Sequence, residues 1–113
     1  MTPRRLHDIA HARTGDKGDT LTLSIFAYRA ADYPALRASA TVDRLRAHLA
    51  GIVAGEILRW ELPLLDGLHF VCRHALKGGV NTSLALDSHG KSLSFAALSL
   101  PVIEPDAGDR EER

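Results

Sequence analysis

Residues 20–28 read Thr-Leu-Thr-Leu-Ser-Ile-Phe-Ala-Tyr, a segment in which one set of alternating positions is strongly apolar. Successive side chains of a β-strand point to opposite faces of a sheet, so this alternation predicts a strand with one face on the hydrophobic core. Phe26 and Tyr28 then share the less apolar face, and aromatic residues are enriched at interfaces. We therefore expect a sheet with one bare face, which favours self-association or docking on a larger partner.

Further patterned segments lie on both sides of this strand. Residues 56–62 alternate around Trp60, which is expected to anchor the core. Residues 68–76 place apolar side chains at helical spacing and predict an amphipathic helix. Asp32 and Thr41 are the expected N-caps of two short helices. The remaining strands are predicted at residues 5–13, 82–87 and 92–100, the last with a bulge near Ala96.

The predicted order of elements is β-β-α-α-β-α-β-β. Hairpin connections combined with helical crossovers are typical of an α+β domain whose antiparallel or mixed sheet carries helices on one face. A ferredoxin-like sandwich fits this order.

Length and composition restrict the class of protein. The chain has 113 residues, of which 45% are hydrophobic and 25% are charged, as in one ordinary globular domain. The formal net charge is zero, so no overall field attracts nucleic acid or an anionic membrane, and neither is expected as a partner. One cysteine, no long apolar run and no apolar segment behind the first basic residues together predict a reduced, cytoplasmic protein. The domain is expected at residues 5–103, followed by an acidic disordered tail at 104–113.

The stretch of residues 11–20 is rich in side chains that support binding or catalysis. Gly15 and Gly18 permit a sharp turn whose amides point outward, and Arg13 and Lys17 supply positive charge. Such a loop can hold a carboxylate, a phosphate or the C-terminus of a partner. The stretch lacks P-loop spacing, which excludes a nucleotide site of that type. The alternative is a charged hairpin loop in which the aspartates cap the loop's own amides. The ligand-binding candidates are Arg13, Thr14, Gly15, Asp16, Lys17, Gly18, Asp19, His74, Gly78 and Gly79.

Metal and thiol chemistry are weaker interpretations of the same sequence. The aspartates of the loop lack the alternating pattern of a calcium site, and no zinc spacing is present, so no metal and no cofactor are expected. Cys72 lies on the apolar stripe of the predicted helix near His69, and we expect a buried, inert thiol rather than a nucleophile. His74, before the Gly78-Gly79 turn, can face the glycine loop or stabilise the end of the helix.

The motif His-Ala-Arg-Thr-Gly-Asp-Lys-Gly-Asp at residues 11–19 resembles the opening motif of the small ferredoxin-fold domain of acyclic terpene utilisation proteins, the AtuA-like family. Further segments resemble that domain in order and spacing, over about residues 5–103 in all. They are Glu61-Leu62-Pro63, Leu68-His69-Phe70-Val71, Ala75-Leu76-Lys77-Gly78-Gly79-Val80, Ser83 to Asp87, and Gly90 to Leu93. The chain departs from the family at Leu23-Ser24-Ile25, where the family usually has an Asn-Ile type pair. The resemblance implies a role in the catabolism of branched acyl-CoA compounds, with an AtuA-type protein as the larger partner.

Two functions follow as hypotheses. The first is a small accessory or binding domain that docks on a larger partner or forms a homo-oligomer. The second is an enzyme or enzyme subunit with hydratase or lyase chemistry on an acyl-CoA or carboxylate substrate. In the second case Arg13 and Lys17 hold the acidic group, and His11 or Asp16 is the general base. The catalytic candidates are thus His11, Asp16 and Lys17.

Overall fold

The computed structural model describes residues 4–18, 20–50, 53, 55–73 and 93–104, without the side chain of Lys17. Four antiparallel strands form one sheet in the order β1-β2-β4-β3. Two hairpins, β1-β2 and β3-β4, therefore lie side by side, with β2 and β4 in the centre. The strands are β1 (Ala10–Lys17), β2 (Thr20–Ala27), β3 (Ile57–Leu62) and β4 (Gly67–Cys72).

Helices cover one face of this sheet. Thr41 caps the helix at Val42–His48 as expected, because its hydroxyl accepts a hydrogen bond from the Arg44 amide at 3.2 Å. Asp32 occupies the N-cap position of the helix at Tyr33–Ser39, but its side chain makes no capping hydrogen bond. Pro34 lies in the first turn of that helix, where a missing amide hydrogen costs little. The helices are α1 (Leu6–Ile9), α2 (Tyr33–Ser39), α3 (Val42–His48) and a fourth helical segment at residues 93–98, called α4 here.

The core lies between the helices and one face of the sheet. Alternate residues of the two central strands are buried, and the register brings them into cross-strand pairs. The buried residues of these strands are Leu21, Leu23, Ile25, Leu68, Phe70 and Cys72. They form one cluster with buried residues of all four helices. The α+β ferredoxin-like fold, with helices on one face of an antiparallel sheet, is therefore as predicted.

The prediction of one strand over residues 5–13 was wrong. Residues 6–9 form α1, where the Asp8 carboxylate accepts a hydrogen bond from the Arg5 amide at 2.8 Å. The strand β1 begins only at Ala10 and continues to Lys17, through most of the predicted glycine loop. Lys17 pairs with Thr20, so the connection is a two-residue turn, and Gly18 has a φ of 63° there. A tight turn of this length is the usual connection between hairpin strands.

The predicted helix at 68–76 is also wrong over its described part. Gly67–Cys72 form β4, which pairs with β2 on one side and with β3 on the other. Backbone hydrogen bonding to two neighbours stabilises the extended form, so tertiary pairing overrides the helical spacing. Residues 74–92, with the predicted strand at 82–87, lie outside the described residues.

Two further expectations require correction. Residues 93–98 are helical rather than extended, and Leu93 and Ala97 are buried one helical turn apart, so no bulge is needed. Trp60 does not anchor the core, because its side chain is 49% exposed. The edge strand β3 turns Ile57 and Arg59 toward the helices instead, and Arg59 donates a hydrogen bond to the Ala40 carbonyl at 3.3 Å.

The two ends of the described chain are joined in the helical layer. The Leu6 amide donates to the Leu100 carbonyl, and the Val102 amide donates to the Arg4 carbonyl, each at 2.9 Å. The Arg4 guanidinium also donates to both carboxylate oxygens of Glu104, at 2.6 and 2.7 Å. Paired hydrogen bonds of this kind fix orientation as well as distance. Residues 105–113 of the predicted tail lie outside the described residues.

Candidate functional site

The sheet face opposite the helices, called the open face here, presents one polar row across all four strands. The register aligns Arg13 of β1, Ser24 of β2, His69 of β4 and Trp60 of β3. Side chains directly opposite each other on neighbouring strands project to the same face. These residues, named the central row, therefore place a guanidinium, a hydroxyl, an imidazole and an indole next to one another.

Ser24 and His69 form the tightest contact in the central row. The Ser24 Oγ lies 2.7 Å from His69 Nδ1, and the ring centroid of His69 lies 6.2 Å from that of Trp60. This hydrogen bond fixes the orientation of the imidazole. The other ring nitrogen, Nε2, has no hydrogen-bond partner among the described residues. A hydroxyl next to an imidazole is the pair found in nucleophilic catalysts, but the described residues supply no third group that orients the imidazole from Nε2.

A second row of the open face is aromatic. The His11 ring lies 5.6 Å from the Phe26 ring and 5.2 Å from the Tyr28 ring. Gly67 occupies the position beside Phe26, and the Phe26 ring covers it. A β-carbon at position 67 would lie 2.5 Å from Phe26 Cδ1, so only glycine leaves room for the ring in this position. Glycine at this site thus permits a continuous aromatic surface beside the central row.

The strand geometry divides the predicted site residues between two faces. His11 and Arg13 are exposed on the open face, and Gly15 occupies an open-face position. Thr14 and Asp16 pair with Leu23 and Leu21, so they share the face that carries the core. Gly18 is in the turn. Asp19, His74, Gly78, Gly79 and the side chain of Lys17 lie outside the described residues.

Charge on the open face has one sign. Among the described side chains of the strand positions that share this face, Arg13 carries a fixed charge, and no aspartate or glutamate occurs there. Arg13 makes no side-chain hydrogen bond or ion pair in the described part of the chain. Other arginines do, such as Arg37 and Arg59, which both contact Glu61. A guanidinium without a partner among the described residues, on strand positions that carry no carboxylate, is suited to bind an anion.

One end of the open face is apolar and strongly exposed. Leu64, Leu65 and Tyr28 are 98%, 61% and 62% exposed, and they are named the apolar end. Tyr28 is adjacent to this turn because the Ala27 amide donates to the Asp66 carbonyl at 2.9 Å. An exposed group of large apolar side chains is typical of an interaction surface.

The turn that carries these leucines is held firmly. Residues Pro63–Leu65 form a 3-10 turn, and Asp66 adopts the left-handed conformation with a φ of 52°. The buried Tyr33 hydroxyl donates to the Gly67 carbonyl at 2.9 Å directly behind the turn. Burial raises the pKa of Tyr33 above its usual value, which keeps this donor protonated. The leucines are thus presented on a fixed backbone.

Cys72 lies on the covered face, away from His69. The thiol is buried, as predicted, and burial raises its pKa to about 11. The strand explains the separation from His69, because residues three apart on a strand project to opposite faces. A thiol with so high a pKa is a poor nucleophile at neutral pH.

We expect Cys72 of the native protein to react with a disulfide reagent at pH 8 only as fast as the protein unfolds. The unfolded chain loses the thiol proton near the ordinary pKa of 9.0, whereas the folded chain retains it up to about pH 11. The unfolded state therefore binds fewer protons in that interval, and stability falls as the pH rises from 9 to about 11. Chemical denaturation between pH 9 and about 11 measures this fall in stability. Cys72→Ala is the control, because it lacks the titrating thiol. Rapid modification of the native thiol at pH 8 would contradict the prediction that Cys72 reacts only when the protein unfolds.

Comparison with family models identifies the fold's relatives. The model of the AtuA ferredoxin-like domain matches residues 4–103. The chain belongs to the AtuA ferredoxin-like domain family. The predicted resemblance is thereby confirmed, and comparisons with curated proteins and with solved structures gave no match.

The described part of this AtuA ferredoxin-like domain contains neither a metal-binding cluster nor a membrane-spanning helix. The described residues contain no group of three or more histidine, cysteine, aspartate or glutamate side chains placed to hold a metal ion. Within the same residues, no helix has the length and apolarity needed to cross a membrane.

Sequence reasoning missed most of the central row of the AtuA ferredoxin-like domain. Arg13 was a candidate, but Ser24, His69 and Trp60 were not considered as members of one site. The available signal was the alternation of Leu68, Phe70 and Cys72, which places His69 on the opposite face of a strand.

Proposed function

We propose that this chain is an accessory binding module that docks on a larger protein in the catabolism of acyclic terpenes or branched acyl-CoA compounds, in the cytoplasm. The observation that carries the proposal is the apolar end, where Leu64, Leu65 and Tyr28 are each more than half exposed on a fixed backbone. A rigid apolar protrusion loses little conformational entropy on binding, so its burial contributes efficiently to affinity. Membership of the AtuA ferredoxin-like family supports an AtuA-type protein as the partner.

The charge of the open face favours a different protein over a second copy as the occupant. Two copies packed through this face would bring the Arg13 side chains of both into a shared interface, to which the described open-face strand positions contribute no carboxylate. Like charges at an interface are unfavourable, whereas a partner with acidic groups around an apolar recess complements this surface. A homo-oligomer is therefore an alternative outcome of the test.

One observation favours a catalytic alternative. His11 and Arg13 are exposed side by side on the open face of β1, as a general base and a cation for an acidic substrate would be. Asp16 lies on the other face of the strand, which leaves His11 as the base in that alternative. The chain would then be a hydratase-like or lyase-like subunit acting on an acyl-CoA or carboxylate substrate.

We expect affinity capture from the source cells to recover one larger protein in stoichiometric amount, and we expect Leu65→Asp to abolish the capture. A charge at Leu65 would be buried without a partner in the complex, which is costly. Phe95→Asp is the matched control, because Phe95 is 77% exposed but belongs to α4 rather than to the apolar end. Light scattering of the purified chain tests whether it forms a homo-oligomer. Conversion of an acyl-CoA or carboxylate substrate by the isolated chain would favour the catalytic alternative. Recovery of monomer alone at high concentration, or capture that Leu65→Asp leaves unchanged, would overturn the docking proposal.

A further inference from the structure

We propose that the central row is a binding site for a small organic acid, in which Arg13 binds the carboxylate and the other end of the row receives the apolar or aromatic body. This inference goes beyond partner docking, because it assigns a ligand to residues that the apolar end does not include. It is carried by the alignment of four side chains of complementary chemistry across the sheet.

Arg13 provides the anion-binding end of the row. Its guanidinium has no hydrogen bond or ion pair within the described residues, although Arg4, Arg5 and Arg59 on other surfaces are all engaged. A planar guanidinium matches a carboxylate with two parallel hydrogen bonds. Asp16 is the described carboxylate of the same strand, and it projects to the opposite face of the sheet from Arg13.

Ser24 and His69 provide directional polar contacts in the middle of the row. Their mutual hydrogen bond of 2.7 Å orients the imidazole. When Ser24 donates to Nδ1, the proton of the neutral ring is on Nε2, which can then donate to a carboxylate oxygen or to a ligand carbonyl. In that tautomer the pair adds a second, preoriented donor two strands from Arg13.

Trp60 lies at the β3 side of the central row, across the sheet from Arg13, and contacts the ring or aliphatic body of the ligand in this proposal. The indole is 49% exposed, and the neighbouring open-face positions of the next row are Val71 and Leu58, which are partly buried. Four strands at the usual spacing give a row about 14 Å long, which accommodates a carboxylate joined to a ring or a short aliphatic chain. Aromatic side chains add stacking to such a contact.

Intrinsic fluorescence gives a direct test, because the chain contains one tryptophan and that residue is in the row. Phenylacetate is the probe, phenylacetamide is its neutral counterpart, and acetate lacks the aromatic body. We expect saturable quenching of Trp60 by phenylacetate at millimolar concentration, and binding of the other two at least about tenfold weaker, a difference of about 1.4 kcal/mol. Added salt is expected to weaken the binding of phenylacetate, since the contact with Arg13 is exposed.

Variants separate the site from nonspecific charge attraction. Arg13→Gln is expected to weaken phenylacetate binding at least about tenfold, and Arg13→Lys is expected to restore part of it. Arg73→Gln is the matched control, because Arg73 is also exposed and unpaired among the described residues but follows β4 outside the central row. It is expected to leave the affinity unchanged. Leu65→Asp is also expected to leave it unchanged, which keeps this proposal distinguishable from partner docking.

Amide chemical shifts provide the second measurement, because they report binding even without quenching. We expect phenylacetate to shift resonances of β1, β2 and β4 around Arg13, Ser24 and His69. Equal binding of phenylacetamide, an Arg13→Gln protein with full affinity, or no shifts at saturating probe would each overturn the proposal. Tighter binding of a thymidine oligonucleotide than of phenylacetate would also overturn it and would assign the row to nucleic acid.

Discussion

Phe70→Ala is expected to lower the free energy of unfolding by about 3–5 kcal/mol, the largest effect of any change considered. Phe70 is fully buried in the central strand β4, opposite Leu23 of β2 and Arg59 of β3. Truncation removes the apolar contacts of the ring and leaves a cavity, because the neighbouring strands and the rest of the core cluster relax only partly. A domain of this size has a total stability of about 5–15 kcal/mol, so the variant is expected to be only marginally folded.

Phe95→Ala is the matched control for this change. Phe95 is 77% exposed, and substitutions at exposed positions usually alter stability by no more than about 0.5 kcal/mol. Denaturant unfolding followed by circular dichroism measures the stability of both variants. Circular dichroism is preferred to tryptophan fluorescence because Trp60 is already half exposed in the native state. A cost below about 1 kcal/mol for Phe70→Ala would show that the core is not organised around this ring.

Gly67→Ala is expected to destabilise the fold by about 1–3 kcal/mol, although it adds only one methyl group. The added carbon would lie 2.5 and 2.8 Å from two atoms of the Phe26 ring and 3.1 Å from the Ile25 carbonyl oxygen. The ring must therefore leave its place beside His11, which disrupts the aromatic row of the open face. Urea denaturation gives the cost, and the aromatic proton shifts of Phe26 report the displacement.

A double-mutant cycle identifies the cause of that cost. In a Phe26→Ala background the ring is absent, so Gly67→Ala is expected to cost less than about 1 kcal/mol, the remainder coming from the Ile25 carbonyl. Gly18→Ala is the control, because Gly18 has a φ of 63° and an added carbon there meets nothing within 4 Å. Its cost of about 1 kcal/mol reflects backbone conformation and is expected to be independent of Phe26. Equal costs of Gly67→Ala in both backgrounds would exclude the ring as the cause.

The local sequence pattern predicted a secondary-structure element correctly where only one type of element fitted that pattern. Strand β2 alternates over its whole length, and the helix after Thr41 has a capping side chain, so each is specified by its own residues. Residues 68–72 satisfy helical and extended spacing equally well over so short a segment. Pairing with β2 and β3, which are distant in sequence, decides between the two. No local pattern contains that information.

The helix at residues 93–98 was predictable from a conflict within the strand interpretation. Two-residue alternation required a bulge to keep the apolar side chains on one face, whereas a helical period brings Leu93 and Ala97 together without one. The candidate site was only partly predictable for a related reason. Treating residues 13–17 as a loop brought Arg13 and Asp16 together, but the strand sends alternate side chains to opposite faces.

The pairing of Arg4 with Glu104 places the beginning and the end of the described chain within one guanidinium–carboxylate contact of each other, among the helices. A second domain joined directly at either residue would be attached on the helical side of the sheet, opposite the face that carries the central row. The same proximity suits circular permutation, since a short linker can close the gap while new termini are opened elsewhere.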